Sequence, residues 1–334
     1  MKKVRALDAF KLLFAYCVVG IHTQLLSVVG NAVVFDVLFS MAVPYFFICS
    51  GFFFQLKLNK QSKDQYRSSV RGYGMRLLRP YLIWGIWYFF LEIMNGVVID
   101  GQPLVETVGM LLHRWLLSSP GGGLWYVQAI LCMLVILWTM NNRRGGYACM
   151  TVALLVTSIT MRVITRNFAD VAQTIFPKDY YTLNFLNSGI YFMLGIELAA
   201  HMGKKPDKHV NAAWFAGALV LLQTITSLMK KGDTPVILTM LSSLLTMCVI
   251  LALFLFAYHW MLPIRKETSI RLRKMSTIIY FTHFTAIYGV KIVGKLLGLT
   301  LTSGWLFAAS AVLLTVMALI LTMPRCNALV RKLF

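Results

Sequence analysis

Charge is what this 334-residue sequence has least of. Asp, Glu, Lys and Arg together make 13% of it, about half the roughly 25% of an ordinary soluble domain. That scarcity excludes a large solvated surface. The longest polar interval, QLKLNKQSKDQYRSSVRGYGMR at 55–76, is too short to build a core, so no sizeable soluble domain is expected. Acid is scarcer still, with 12 Asp and Glu against 32 Lys and Arg. Cysteine is sparse too: Cys17, Cys49, Cys132, Cys149, Cys248 and Cys326 lie scattered, mostly in apolar runs, with no C-x-x-C pair. That spacing supplies neither a disulfide framework nor a zinc site, and no metal is expected. There is no low-complexity tract and no short internal repeat.

What is present is apolar. Hydrophobic residues make 58% of the chain, in recurring stretches of roughly 18 to 24 residues, each about long enough to cross a ~30 Å hydrocarbon core. The pattern predicts an all-α, polytopic membrane bundle occupying 1–334 as a single domain. Ten spans are expected, near 7–28, 34–54, 77–98, 124–140, 147–165, 184–201, 211–229, 235–260, 275–297 and 303–323. With both termini cytoplasmic, the inner segments collect roughly three times as many Lys and Arg as the outer ones, as the positive-inside rule requires. The net charge of +20 is then explained by inner loops and anionic lipid head groups rather than by nucleic acid. The opening run RALDAFKLLFAYCVVGIH starts like a signal peptide. Acidic Asp8 at its start and the want of a small-residue cleavage site predict instead a retained helix. The outer segment 99–123 holds SSPGGGLWY, whose glycines permit close backbone packing or unusual dihedrals, and an amphipathic or re-entrant piece fits there.

Ionisable groups inside spans are costly, so each is a functional candidate. Lys11 and His22 stand three turns apart on one face of the first helix, His22 about 16 Å deeper. Asp8 sits one turn below Lys11. His22 reads either as a general base at depth or as a hydrogen-bonder in helix packing. RLLRP opens the third span: Arg76 and Arg79 project about 60° apart, as snorkelling anchors or as a phosphate clamp, with Pro80 suited to a helix's first turn. In the ninth span Ser276, Tyr280 and His283 fall on one face, as a polar site or a packing seam. Ser50 and Gly51 in FFICSGF suit tight helix contact. Glu92 and Glu197 also fall within spans and receive no role.

Taken in order, these segments resemble the acyltransferase 3 family of integral membrane acyltransferases. The resemblance rests on LD at Leu7–Asp8 with Lys11-x10-His22, PYFFICSGFFF, RLLRP, LWYVQAIL and STIIYFTH, and it covers nearly the whole chain. Three features depart from the pattern. Lys11 stands where Arg is common, which loses a bidentate fork. Phe284 and Thr285 follow the late histidine where a proline is common. The fused periplasmic domain of some members is not seen.

The resemblance implies transfer of an acyl group, usually acetyl, from acyl-CoA to a hydroxyl of a cell-envelope saccharide. The setting would be a multi-pass protein of the bacterial cytoplasmic membrane. It implies that Lys11, Arg76 and Arg79 bind the acyl-CoA. His22 deprotonates the acceptor hydroxyl for attack on the thioester, and Tyr280, His283, Ser276 and Trp125 support catalysis or bind the acceptor. Acetyl-CoA would be a co-substrate, with no tightly bound cofactor; the other partners would be a glycan or lipid-linked sugar and membrane lipids. A transporter or flippase of an envelope precursor fits the composition equally well, but leaves the Lys11–His22 spacing without a purpose. Nothing in the sequence specifies an oligomeric state.

Overall fold

The computed structural model describes residues 5–29, 33–117, 123–140, 144–175, 184–202, 212–229 and 235–334. They form α1 (Arg5–His22), α2 (Leu26–Val29), α3 (Val33–Leu58), α4 (Tyr66–Val98), α5 (Leu104–Leu117), α6 (Trp125–Met140) and α7 (Arg144–Asn167). There follow α8 (Ala169–Ile175), α9 (Asn184–Met202), α10 (Ala212–Met229), α11 (Val236–His259), α12 (Lys266–Leu296), α13 (Ser303–Leu321) and α14 (Asn327–Leu333). No strand occurs among the described residues. Helices satisfy every backbone group within one segment, which lipid demands. Among the described residues five helices are long and apolar enough to cross a membrane: α3 from Val37, α4, α7 from Gly146, α11 and α13. α1, α6, α9, α10 and α12 cover the other expected segments without meeting that standard. The expectations on Gly121, Gly122, Arg143, Lys204 and Lys230 lie outside the described residues.

Two boundaries differ from the sequence reading. α4 starts at Tyr66, so Pro80 lies inside the helix rather than in its first turn; lacking an N–H, it leaves the Arg76 carbonyl without its intrahelical donor. α1 stops at His22 instead of running to 28. Gln24 there adopts φ 55°, while Leu25 N–H donates to Gly20 O at 3.0 Å and Gln24 N–H to Ile21 O at 3.2 Å. This is the paired closure of a Schellman motif, built on glutamine where glycine is usual.

The chain divides into two compact units. The first comprises 1–7, 43–76 and 128–262. Its closest helix contact sets Gly51 of α3 against the Phe192 carbonyl of α9 and Gly195 of α9 against the Ile48 carbonyl. A β-carbon would fall 1.9 Å and 2.2 Å from those oxygens, so the expected tight contact at Gly51 is present. Hydrogen bonds fasten neighbouring helices. Ser158 Oγ donates to Asn187 O at 2.8 Å, Arg162 Nη2 to Tyr191 OH at 3.2 Å and Thr239 Oγ1 to Asn167 Oδ1 at 2.9 Å. Tyr147 OH donates to Tyr66 OH at 2.5 Å, and Tyr66 OH to Leu137 O at 3.0 Å.

The second unit comprises 8–42, 77–127 and 263–334. α1 and α12 run parallel: Ser269 meets Asp8 near their starts, and His283 meets His22 four turns further along each helix. α4 runs parallel to α12 as well. Trp84 packs on Phe281, Trp87 Nε1 donates to Thr285 Oγ1 at 2.9 Å, and Lys295 Nζ donates to Ile99 O at 2.6 Å. α13 runs against α1, with Tyr16 OH 2.6 Å from Thr315 Oγ1 and Ser27 Oγ donating to Ser303 Oγ at 3.3 Å. α12 turns back into α13 at Gly298, whose φ is 67°.

Candidate active site

The parallel pairing of α1 and α12 brings two histidines together within the second unit. His22 is the last residue of α1, fixed there by the Gln24 closure. His283 lies on α12 in a run where Ser269, Ser276, Tyr280 and His283 share one helix face. The two rings stack with centroids 5.2 Å apart and planes 30° from parallel. Phe284 packs on both, 4.5 Å from His22 and 4.6 Å from His283.

The two imidazoles differ in exposure and in bonding. His22 is half-buried, whereas His283 is 1% exposed. His283 Nδ1 lies 2.5 Å from the Tyr280 carbonyl oxygen. A carbonyl only accepts, so Nδ1 carries the proton and Nε2 keeps its lone pair. That Nε2 is buried and has no hydrogen-bond partner among the described residues. Beside it is Gly123, just ahead of α6, where a β-carbon would fall 2.7 Å from His283 Cε1 and 3.0 Å from Nε2. Of the two readings of this glycine stretch, close packing is the one seen at Gly123.

Tyr280 is tied to the same place. Its hydroxyl donates to Gly123 O at 2.5 Å, fastening α12 to the residue just ahead of α6. Tyr88 of α4 holds α12 by donating to Phe281 O and packs on Phe284 at 6.0 Å.

The other predicted site residues sit on α1, α4, α6 and α12. Ser276 is buried and gives its proton to its own helix at Arg273 O, 3.1 Å away. Trp125 is half-buried as the first residue of α6. Lys11 is half-buried on α1, about 16 Å along the axis from His22. Arg76 and Arg79 are exposed on α4. Arg76 Nε donates to Gly72 O at 3.2 Å, and its guanidinium lies 5.6 Å over the Tyr73 ring. Glu197 reaches the exposed His201 at 3.7 Å.

Sequence reasoning missed the partner of Asp8. Asp8 is 2% exposed and accepts from Ser269 Oγ at 2.7 Å, so the carboxylate fastens α1 to the first turn of α12. Ser269 sits on the same face as Ser276 and His283, which was the available signal.

Comparison with known proteins agrees with the motifs. A curated amino-acid racemase of Enterococcus faecalis is 24% identical over 309 residues, 88% of this chain and 42% of the racemase. A serine/alanine racemase of Enterococcus gallinarum is 25% identical over 141 residues, 41% of this chain and 20% of that protein. The chain thus spans less than half the length of these relatives. No solved structure matches it. A family described as an acyltransferase domain matches residues 4–324, nearly the whole chain. This chain belongs to the acyltransferase 3 family of membrane acyltransferases.

Proposed function

We propose that the protein moves an acyl group, acetyl in the first instance, from acyl-CoA to a hydroxyl of a cell-envelope saccharide. It does so from ten membrane spans with both termini cytoplasmic. The observation that supports this best is the histidine pair at the far end of α1 from Lys11. Lys11, Arg76 and Arg79 receive the anionic phosphates of the donor. The ~16 Å from Lys11 to His22 suits the length of a pantetheine arm. Half-buried His22 removes the acceptor's proton, and the oxygen attacks the acyl carbonyl. A positioned base of this kind contributes about 10² to 10⁴ in rate.

Racemisation, the activity in the relatives' names, finds no support in the site. Two opposed bases need a carbon between them, which takes about 7 Å at ordinary contact distances. His22 and His283 stack at 5.2 Å. A transporter would move its cargo without consuming thioester.

The test supplies acetyl-CoA and envelope glycans to purified protein and follows free CoA and acylated product. His22→Ala should lose about 10²-fold or more, and wild-type turnover in that variant sinks the base assignment. Arg76→Ala with Arg79→Ala should raise KM for acetyl-CoA at least several-fold; an unchanged KM removes both arginines from donor binding. Cargo uptake with no CoA released would replace this reading with the transporter.

A further inference from the structure

We propose that His283 is the acyl carrier: its Nε2 takes the acyl group from CoA before the acceptor receives it. This rests on the acyl-transfer reading above and adds a covalent step to it.

Three observations converge on Nε2. The Tyr280 carbonyl holds Nδ1–H at 2.5 Å, so the lone pair stands on Nε2 and the ring cannot turn without losing that bond. Nε2 itself is buried and has no hydrogen-bond partner among the described residues, and a buried polar atom left so calls for an explanation. Gly123 packs beside it, and any side chain there would bring a β-carbon within 3.0 Å of Nε2.

Burial also meets the chief chemical need of such a carrier. An acyl-imidazole is hydrolysed when water reaches it, and a closed site protects reactive intermediates from that loss. His283, 1% exposed, suits the carrier; half-buried His22 suits the base that meets an incoming hydroxyl. The stack at 5.2 Å puts the base beside the group it must serve, and gives each histidine its own task.

The steps balance. The Nε2 lone pair forms an N–C bond to the thioester carbonyl carbon. The C–S bond breaks, and CoA leaves as thiolate with the electron pair. The acyl-imidazolium keeps its Nδ1 proton on the Tyr280 carbonyl. The acceptor O–H then gives its proton to His22 while its oxygen bonds to the acyl carbon. The C–N bond breaks, and its pair returns to Nε2. The proton on His22 passes through solvent to the thiolate, leaving acyl ester and CoA.

An acyl carrier loads and unloads without acceptor, so it exchanges label between radiolabelled CoA and acetyl-CoA when no glycan is present. The wild-type protein should show that exchange. His283→Ala should lower it at least about 100-fold, as should His283→Gln, which keeps most of the side-chain volume should the alanine variant fail to fold. His22→Ala should keep the exchange yet lose acylated product. Exchange surviving in both folded His283 variants overturns the proposal. So does a wild-type protein that acylates added envelope glycans but shows no exchange; that result leaves the transferase reading standing. Absence of both exchange and glycan acylation overturns the two together.

Discussion

Replacing Gly123 with alanine tests whether the placement of His283 governs the rate. The added β-carbon falls 2.7 Å from His283 Cε1, 3.0 Å from Nε2 and 3.0 Å from Phe284 Cδ2. Relaxed carbon contacts begin near 3.5 Å, so these rings must retreat by roughly 0.5 to 0.8 Å. Neither is free to swing. His283 is tethered to the Tyr280 carbonyl, and Phe284 is packed between Tyr88 and Tyr288 at 6.0 and 5.4 Å. Overpacking of this kind costs about 1–3 kcal/mol in stability. A misplacement of about 1 Å costs about 10² in rate, so kcat should fall roughly 10- to 50-fold with KM for acetyl-CoA little changed. The assay is steady-state CoA release with glycan acceptor, alongside a thermal melt. Gly109→Ala on α5 is the control, since nothing lies within 4 Å of its β-carbon; that variant should keep wild-type kcat. A Gly123→Ala protein with wild-type kcat, or with its whole defect in KM, refutes the reasoning.

Three further outcomes follow from the packing. Gly195→Val puts side-chain atoms against the Ile48 carbonyl, where a β-carbon already comes to 2.2 Å; backbone cannot yield as a side chain does, so the melting temperature should drop by more than in Gly123→Ala. Ser269→Ala should cost about 1–3 kcal/mol by leaving the buried Asp8 oxygen unsatisfied, and in a double-mutant cycle with Asp8→Ala the two losses should be non-additive. Gln24→Gly relieves a left-handed residue, for which a non-glycine side chain forfeits about 1–2 kcal/mol, and should raise the melting temperature; a fall would show that the Gln24 side chain holds the turn.

Helix type and position were legible because lipid leaves the backbone little choice: each of the ten apolar segments is largely helical, the first broken at 23–25 between α1 and α2. Ends were harder. The first turns of α4 and α12 are charged and water-facing, so apolar pattern marks only where lipid begins. The stop at His22 depends on Gln24 taking φ 55°, and no glycine announced it. Within the site, periodicity aligned Ser276, Tyr280 and His283, but it cannot say which helix faces that stripe. The pairing with His22 is a tertiary fact, as are the Asp8–Ser269 and Tyr280–Gly123 bonds. Side-chain chemistry alone named Tyr280 a candidate; its proton turns out to be given to Gly123.

The directions of the helices bear on how many times the chain crosses the membrane. α1, α4 and α12 run parallel and α13 runs against α1. Two spanning helices of the same direction must be separated by an odd number of crossings. Between α1 and α4, α3 is the crossing long and apolar enough. Between α4 and α12 lie α6, α7, α9, α10 and α11, an odd set, together with the shorter α5 and α8. α5 is 14 residues long, about 21 Å as a helix and short of a ~30 Å core. Counting it alone as a crossing would reverse α12 against α4 and break the contacts of Trp84, Trp87 and Lys295. If all five of those helices cross, α5 stays on one side. α1 and α12 thus start side by side at Asp8 and Ser269 and come together again at His22 and His283, so the two histidines meet because the helices that carry them run the same way.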